Sequence, residues 1–172
     1  MAKAPLAPGD RLDDFELPTL DGRTVSTRRY YLRSGLLLLF SHEFPCDSCL
    51  DYLSVIERVL PEIRRERMEV IAVVPIGRTL VIARPADFLP QFPIGLGEGD
   101  ELHRRFGFLD ETGRPAAAVV VGDDTATIWH AWCAGAGHEL PEPPELLEWV
   151  RFVSYQCPEC RERNPDRGPE CR

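Results

Sequence analysis

The sequence predicts an α/β fold built around one core. Three observations carry it: a continuous apolar run at Leu36–Phe40, an amphipathic stretch from Asp47 to about Arg67, and a second apolar run at Val70–Val74. A short, unbroken apolar run is the pattern of a strand covered on both faces. Gly35 before the first run and Pro45 after it favour strand over buried helix. Two such strands joined by a helix favour a parallel pair with a right-handed crossover. The 172 residues suit a single domain, since domains run to about 100–200 residues.

The remaining elements follow in chain order. Phe15-Glu16-Leu17 and Thr24-Val25-Ser26-Thr27 flank Asp21-Gly22, which is hairpin chemistry. In the amphipathic stretch, Leu50, Leu53, Ile56, Val59, Leu60 and Ile63 recur at three- and four-residue steps, the stripe of a helix. Pro61 falls inside it and predicts a kink or break near Leu60. Residues 75–98 carry Pro75, Gly77, Pro85, Pro90, Pro93, Gly95 and Gly97, so they read as an irregular connection with at most a short helix at Ala86–Leu89. Glu98–Phe106 reads as a brief helix stopped by Gly107. Ala116–Val121 and Ala126–Cys133 are strands joined across Gly122-Asp123-Asp124-Thr125 as a hairpin. Pro143-Pro144 opens a last helix with Leu146, Trp149, Val150 and Val153 on one face. This divides the chain into a domain over residues 1–155 and a Cys-rich tail over 156–172.

Composition narrows the function. With 44% hydrophobic and 28% charged residues, global disorder is excluded. The 28 acidic against 20 basic residues, a net charge of −8, argue against nucleic-acid binding as the main activity. The longest apolar run, Ala116–Val121, is far short of the roughly 18 residues of a membrane span. Met1–Pro5 leads into Asp10, Asp13 and Asp14 without an apolar signal core, which predicts a cytoplasmic protein. Thiols are kept reduced there, so the six cysteines read as redox chemistry, metal ligands or idle thiols rather than a disulfide framework.

Cys46 and Cys49 form a Cys-x-x-Cys pair where the first strand gives way to the helix. A thiol at a helix N-terminus faces the positive end of the macrodipole and free backbone amides, which favours its thiolate. Cys49, one helical turn on, is placed to resolve a mixed disulfide at Cys46. His42, four residues before Cys46, can accept a proton during exchange or simply cap the sheet edge. His103, His130 and His138 carry no motif and read as surface or packing residues. Cys133, Trp129 and Trp132 read as packing, with Cys133 a small buried hydrophobe.

The lead-in Asp14-Phe15-Glu16-Leu17-Pro18-Thr19-Leu20-Asp21-Gly22-Arg23-Thr24-Val25, the strand Leu36–Phe40, the Cys-x-x-Cys, Arg105-Phe106-Gly107 and the closing hairpin occur in that order. Together they resemble a redoxin of the alkyl hydroperoxide reductase and thiol-specific antioxidant (AhpC/TSA) group, over about residues 8–155. The resemblance implies the thioredoxin fold, a central mixed β-sheet flanked by helices with a short N-terminal hairpin. It also implies two ways of using the site. In thioredoxin-like members the first cysteine, here Cys46, attacks a disulfide, and a cis-proline faces the pair from before a later strand, here Pro115. In peroxiredoxins a Thr or Ser stands three residues before the peroxidatic cysteine and an Arg, here Arg114, assists it.

Position 43 is Glu, which repels a thiolate and lacks the hydroxyl donor, so the peroxidase reading is weakened. Asp47 likewise opposes the Cys46 thiolate and points to a reductant-like or isomerase-like poise. The favoured function is thiol–disulfide exchange on a protein or low-molecular-weight disulfide, with Cys46 attacking and Cys49 resolving. The alternative enzyme is a thiol peroxidase that reduces hydroperoxides with Cys46 and Arg114. Thioredoxin or a low-molecular-weight thiol would supply the electrons. For Cys157, Cys160 and Cys171 three readings stay open: a redox relay to Cys46, a metal site, or idle thiols. A different class of protein would result if Cys46, Cys49, Cys157 and Cys160 held zinc, namely a non-catalytic binding module. Apart from zinc at these cysteines, no cofactor is expected.

Overall fold

The computed structural model describes residues 4–76, 90–135 and 138–156. β1 (Glu16–Pro18) and β2 (Thr24–Ser26) pair antiparallel across the Asp21-Gly22 turn, as the sequence predicts. β3 (Gly35–Phe40), α1 (Asp47–Arg65) and β4 (Met68–Ile76) form the expected strand-helix-strand unit, with Leu37 opposite Val70 and Leu39 opposite Ala72 in parallel register. β6 (Ala118–Gly122) returns antiparallel on the other side of β3 and folds back as β7 (Ile128–Cys133). A last helix, α3 (Pro143–Ser154), begins with proline in its first turn.

Two expectations fail. α1 runs unbroken through Pro61. Pro61 is exposed, so its ring lies on the solvent side, where water can satisfy the Glu57 carbonyl that a proline cannot. Residues 94–98 are not irregular: Ile94–Glu98 is a strand parallel to β4, closing the sheet edge next to a helix over Glu101–Phe106. Numbering that strand β5 and that helix α2, the sheet order is β5-β4-β3-β6-β7. Gly95 fits there because a Cβ would come within 2.7 Å of the Leu17 side chain, where the β1–β2 hairpin crosses the sheet. The short helix expected at Ala86–Leu89 lies outside the described residues.

Strand alternation feeds two cores. Leu37, Leu39, Val70, Ala72, Val119 and Val121 face α1 and α3. Leu36, Leu38, Phe40, Ile71, Val73 and Val120 face the N-terminal hairpin and α2. Both faces are covered, which is why these strands read as unbroken apolar runs. Trp129 is buried as expected and donates its indole N–H to Asp123 at 2.8 Å. Among the described residues no helix is long and apolar enough to cross a membrane.

Candidate active site

β3 ends at Phe40, at the middle of the sheet, and the next residues turn the chain into α1. Ser41 is buried and keeps the sheet register by donating its N–H to the Val73 carbonyl at 2.9 Å. Cys46 is the N-cap of α1, with φ −138° and ψ 123°, and its carbonyl accepts the Leu50 N–H at 2.9 Å. Its thiol is partly exposed at the positive end of the helix and makes no side-chain capping hydrogen bond.

Cys49, one turn further, is 7% exposed and packs on Ala117 and Ala134, which continue the β6–β7 pairing through an Ala134 N–H to Ala117 C=O bond of 2.8 Å. Both thiols are free. Burial pushes the Cys49 thiol up to about 11; hydrogen bonding from the His42 backbone and the Ser41 hydroxyl pulls the other way, while the nearby Cys46 adds to the rise.

His42 is the hub of the site. Its Nδ1 lies 3.1 Å from the Cys49 Sγ, and its Nε2 lies 3.3 Å from a Glu43 carboxylate oxygen. His138, expected to be no more than a surface or packing residue, is exposed but stands over this ring. Its Nε2 is 3.2 Å from His42 Nδ1 and 3.3 Å from Nε2, with ring centroids 4.4 Å apart. His42 and His138 are 96 residues apart in sequence, so no spacing rule joins them.

The other predicted residues divide. Arg114 and Pro115 line an open cleft with His42, Glu43 and His138. The Arg114 guanidinium is engaged by the Asp110 carboxylate at 3.3 Å and the Thr112 hydroxyl at 2.9 Å. Asp110 also accepts the Thr112 hydroxyl and the Thr112 and Arg114 amides, and this set holds its carboxyl down at about 2. Pro115 does not carry the cis bond that the resemblance implies. The single cis peptide among the described residues is Phe44–Pro45. Pro115 is instead held by an antiparallel bridge to Leu109, beside an Ala116 N–H to Phe108 C=O bond of 3.0 Å.

A second cleft, lined by Ser48, Cys49, Tyr52, Ala117 and His138, opens on the buried thiol. Cys133 is exposed at the end of the edge strand β7, contrary to the expectation of burial. Cys157, Cys160 and Cys171 lie outside the described residues.

A mixed sheet of this order, with a dithiol at the join of its central strand and first helix, defines a thiol-redox protein of thioredoxin type. The chain belongs to the AhpC/TSA family, whose model matches residues 8–131. AhpC of Mycobacterium tuberculosis is similar in structure, with a TM-score of 0.71 at 15% identity over 90% of this chain and 98% of that one. The reduced 2-Cys peroxiredoxin of Plasmodium vivax matches with a TM-score of 0.70 at 12% identity, over 84% and 94%. The exposed lipoprotein thioredoxin of Streptococcus pneumoniae matches with a TM-score of 0.62 at 18% identity, over 82% and 100%. At these identities the likeness establishes the fold. No curated protein sequence matches. Family membership makes the protein a thiol-based oxidoreductase, with thiol or peroxide substrates and thioredoxin-type reductants as its general chemistry.

Proposed function

We propose that the protein catalyses thiol–disulfide exchange, with Cys46 as attacking thiolate, Cys49 as resolving thiol and His42 as the base that releases Cys49. The observation that carries this reading is the 3.1 Å approach of His42 Nδ1 to the Cys49 Sγ. A thiol titrating near 11 is thiolate in only about one molecule in ten thousand at neutral pH, so resolution needs a positioned base. His42, backed by His138, is within reach of that proton.

The electrons balance in two displacements. Cys46 thiolate attacks one sulfur of the substrate disulfide, the S–S bond breaks, and the first substrate sulfur leaves as thiolate. Cys49 gives its proton to His42 and attacks the Cys46 sulfur. The second substrate thiolate leaves, the substrate has gained two electrons, and the protein holds a Cys46–Cys49 disulfide. A thioredoxin-type protein or a low-molecular-weight thiol restores the dithiol by the reverse sequence.

The two features a peroxidase would use support exchange instead. Glu43 occupies the place of the hydroxyl donor, and Arg114 is engaged by Asp110 and Thr112. The test is Cys49→Ser with mass spectrometry of adducts at Cys46. A covalently trapped disulfide partner is expected; absence of any adduct, together with fast peroxide consumption by the unmodified protein, overturns the reading.

A further inference from the structure

We propose that His42, Cys46 and His138 form a zinc-binding site on the same face as the dithiol. Among the described residues these three offer one ligand atom each, all within 4.8 Å of one another. They come from separate elements: the end of β3, the start of α1 and the segment after β7.

The nitrogen spacing fits the metal. Two imidazole nitrogens on one tetrahedral zinc, at about 2.0–2.1 Å each, stand about 3.3 Å apart. His42 Nδ1 and His138 Nε2 are 3.2 Å apart. With Nδ1 turned to the metal, His42 keeps Nε2 for the Glu43 carboxylate at 3.3 Å, the carboxylate–histidine support usual around zinc. Cys46 is partly exposed and its thiol makes no capping bond to the helix, so a change of rotamer moves the sulfur from the Cys49 thiol toward the two imidazoles.

The donor set selects the cation. Two imidazoles and one thiolate suit a borderline-soft ion such as zinc and not magnesium or calcium, which take oxygen ligands. Three protein ligands leave the fourth position of the tetrahedron open to water or an external ligand. Glu43 and Asp47 flank the site, and their charge favours a cation. On binding, the Cys46 thiol loses its proton to solvent and its thiolate becomes a metal ligand. A sulfur held this way is not free to attack a disulfide, so zinc and disulfide compete for Cys46.

The site rests on geometry and is independent of the exchange reading, and the two fail separately. The test titrates reduced full-length protein, under argon, with zinc alone against a chromophoric chelator, and with cobalt(II) alone by absorption spectroscopy. The tail thiols are removed in a Cys157→Ser, Cys160→Ser, Cys171→Ser background. One zinc per chain and a thiolate-to-cobalt charge-transfer band are expected to survive there. His138→Ala and, separately, Cys46→Ser in that background are expected to weaken zinc at least tenfold and, for Cys46→Ser, to abolish the band. Zinc is also expected to slow alkylation of Cys46 by iodoacetamide and not to do so once His138 is alanine. Loss of binding with the tail thiols, or tight binding that ignores His138→Ala, overturns the site. Trapped adducts on Cys49→Ser would stand in either case.

Discussion

His42 Nδ1 and Cys49 Sγ are 3.1 Å apart, across the loop between β3 and α1. This places an imidazole nitrogen that can take up a proton against a thiol whose pKa burial raises to about 11. His42→Phe keeps the ring and removes both nitrogens. The first displacement, at Cys46, should proceed, while resolution by Cys49 should slow by about a hundredfold, within the usual range for a lost general base. Quenched-flow mass spectrometry should then show the mixed disulfide accumulating. Equal resolution rates in His42→Phe and the parent protein would remove His42 from the mechanism.

A second histidine reports on stability. His103 is 1% exposed beside the Phe40 ring, and burial lowers its pKa to about 4, opposed by a hydrogen bond to the Ser41 backbone and by Asp100. Its Nε2 has no hydrogen-bond partner, as expected of a neutral ring whose bare nitrogen faces the core. The unfolded chain protonates this histidine near 6.5, before the folded chain does. Its contribution is therefore present above pH 6.5 and lost as pH falls toward 4, by about 1.4 kcal/mol per pH unit and about 3 kcal/mol in all. Urea unfolding at pH 7.5, 5.5 and 4.5 should show the decline, and His103→Phe should flatten it. A His103→Phe protein with the parent's slope would assign the acid sensitivity elsewhere.

The carboxylate of Asp123 organises the β6–β7 hairpin. It accepts the Thr125 and Thr127 amides, the Thr125 hydroxyl and, on its second oxygen, the Trp129 indole N–H, and it is 3% exposed. Asp123→Ala leaves the buried Trp129 indole N–H unpaired and takes the acceptor from the part-buried Thr125 and Thr127 amides, which should cost about 2–4 kcal/mol. Trp129 fluorescence during urea unfolding measures the loss at the point where it arises. A change below about 0.5 kcal/mol would mean that water replaces the carboxylate without penalty.

What the sequence disclosed follows from the range of each interaction. The β3–α1–β4 unit was legible because Leu36–Phe40 and Val70–Val74 are buried on both faces and the helix between them keeps one apolar stripe. β5 was hidden because Gly95 and Gly97 look like breakers, although Gly95 is required by the close passage of Leu17. Pro61 does not break the helix because it is exposed and leaves the Glu57 carbonyl to water. At the site, the place of Cys46 and Cys49 was set by a local junction and was readable. His138 joins them through tertiary folding across 96 residues, so nothing local encoded it. The assisting role of Arg114 comes from the resemblance alone, and its pairing with Asp110 and Thr112 depends on the side-chain geometry of the neighbouring turn.

That turn supplies the sharpest separation of the two enzyme chemistries. Arg114 is 77% exposed and its ion pair with Asp110 is at the surface, where such pairs contribute at most about 1 kcal/mol. Arg114→Ala should therefore leave the fold intact, and any large kinetic effect would report on chemistry alone. Exchange through Cys46, Cys49 and His42 uses no cation at position 114, so turnover of a model disulfide should change by less than about twofold, the scale of a small electrostatic perturbation. A peroxidase reading instead makes that guanidinium assist the reaction at Cys46, where losing a charge-assisted donor typically costs 10²-fold or more. Parallel assays of disulfide and hydroperoxide turnover on Arg114→Ala distinguish the cases. A hundredfold loss of peroxide turnover, starting from a fast parent rate, would place Arg114 in the reacting site and displace exchange as the main activity.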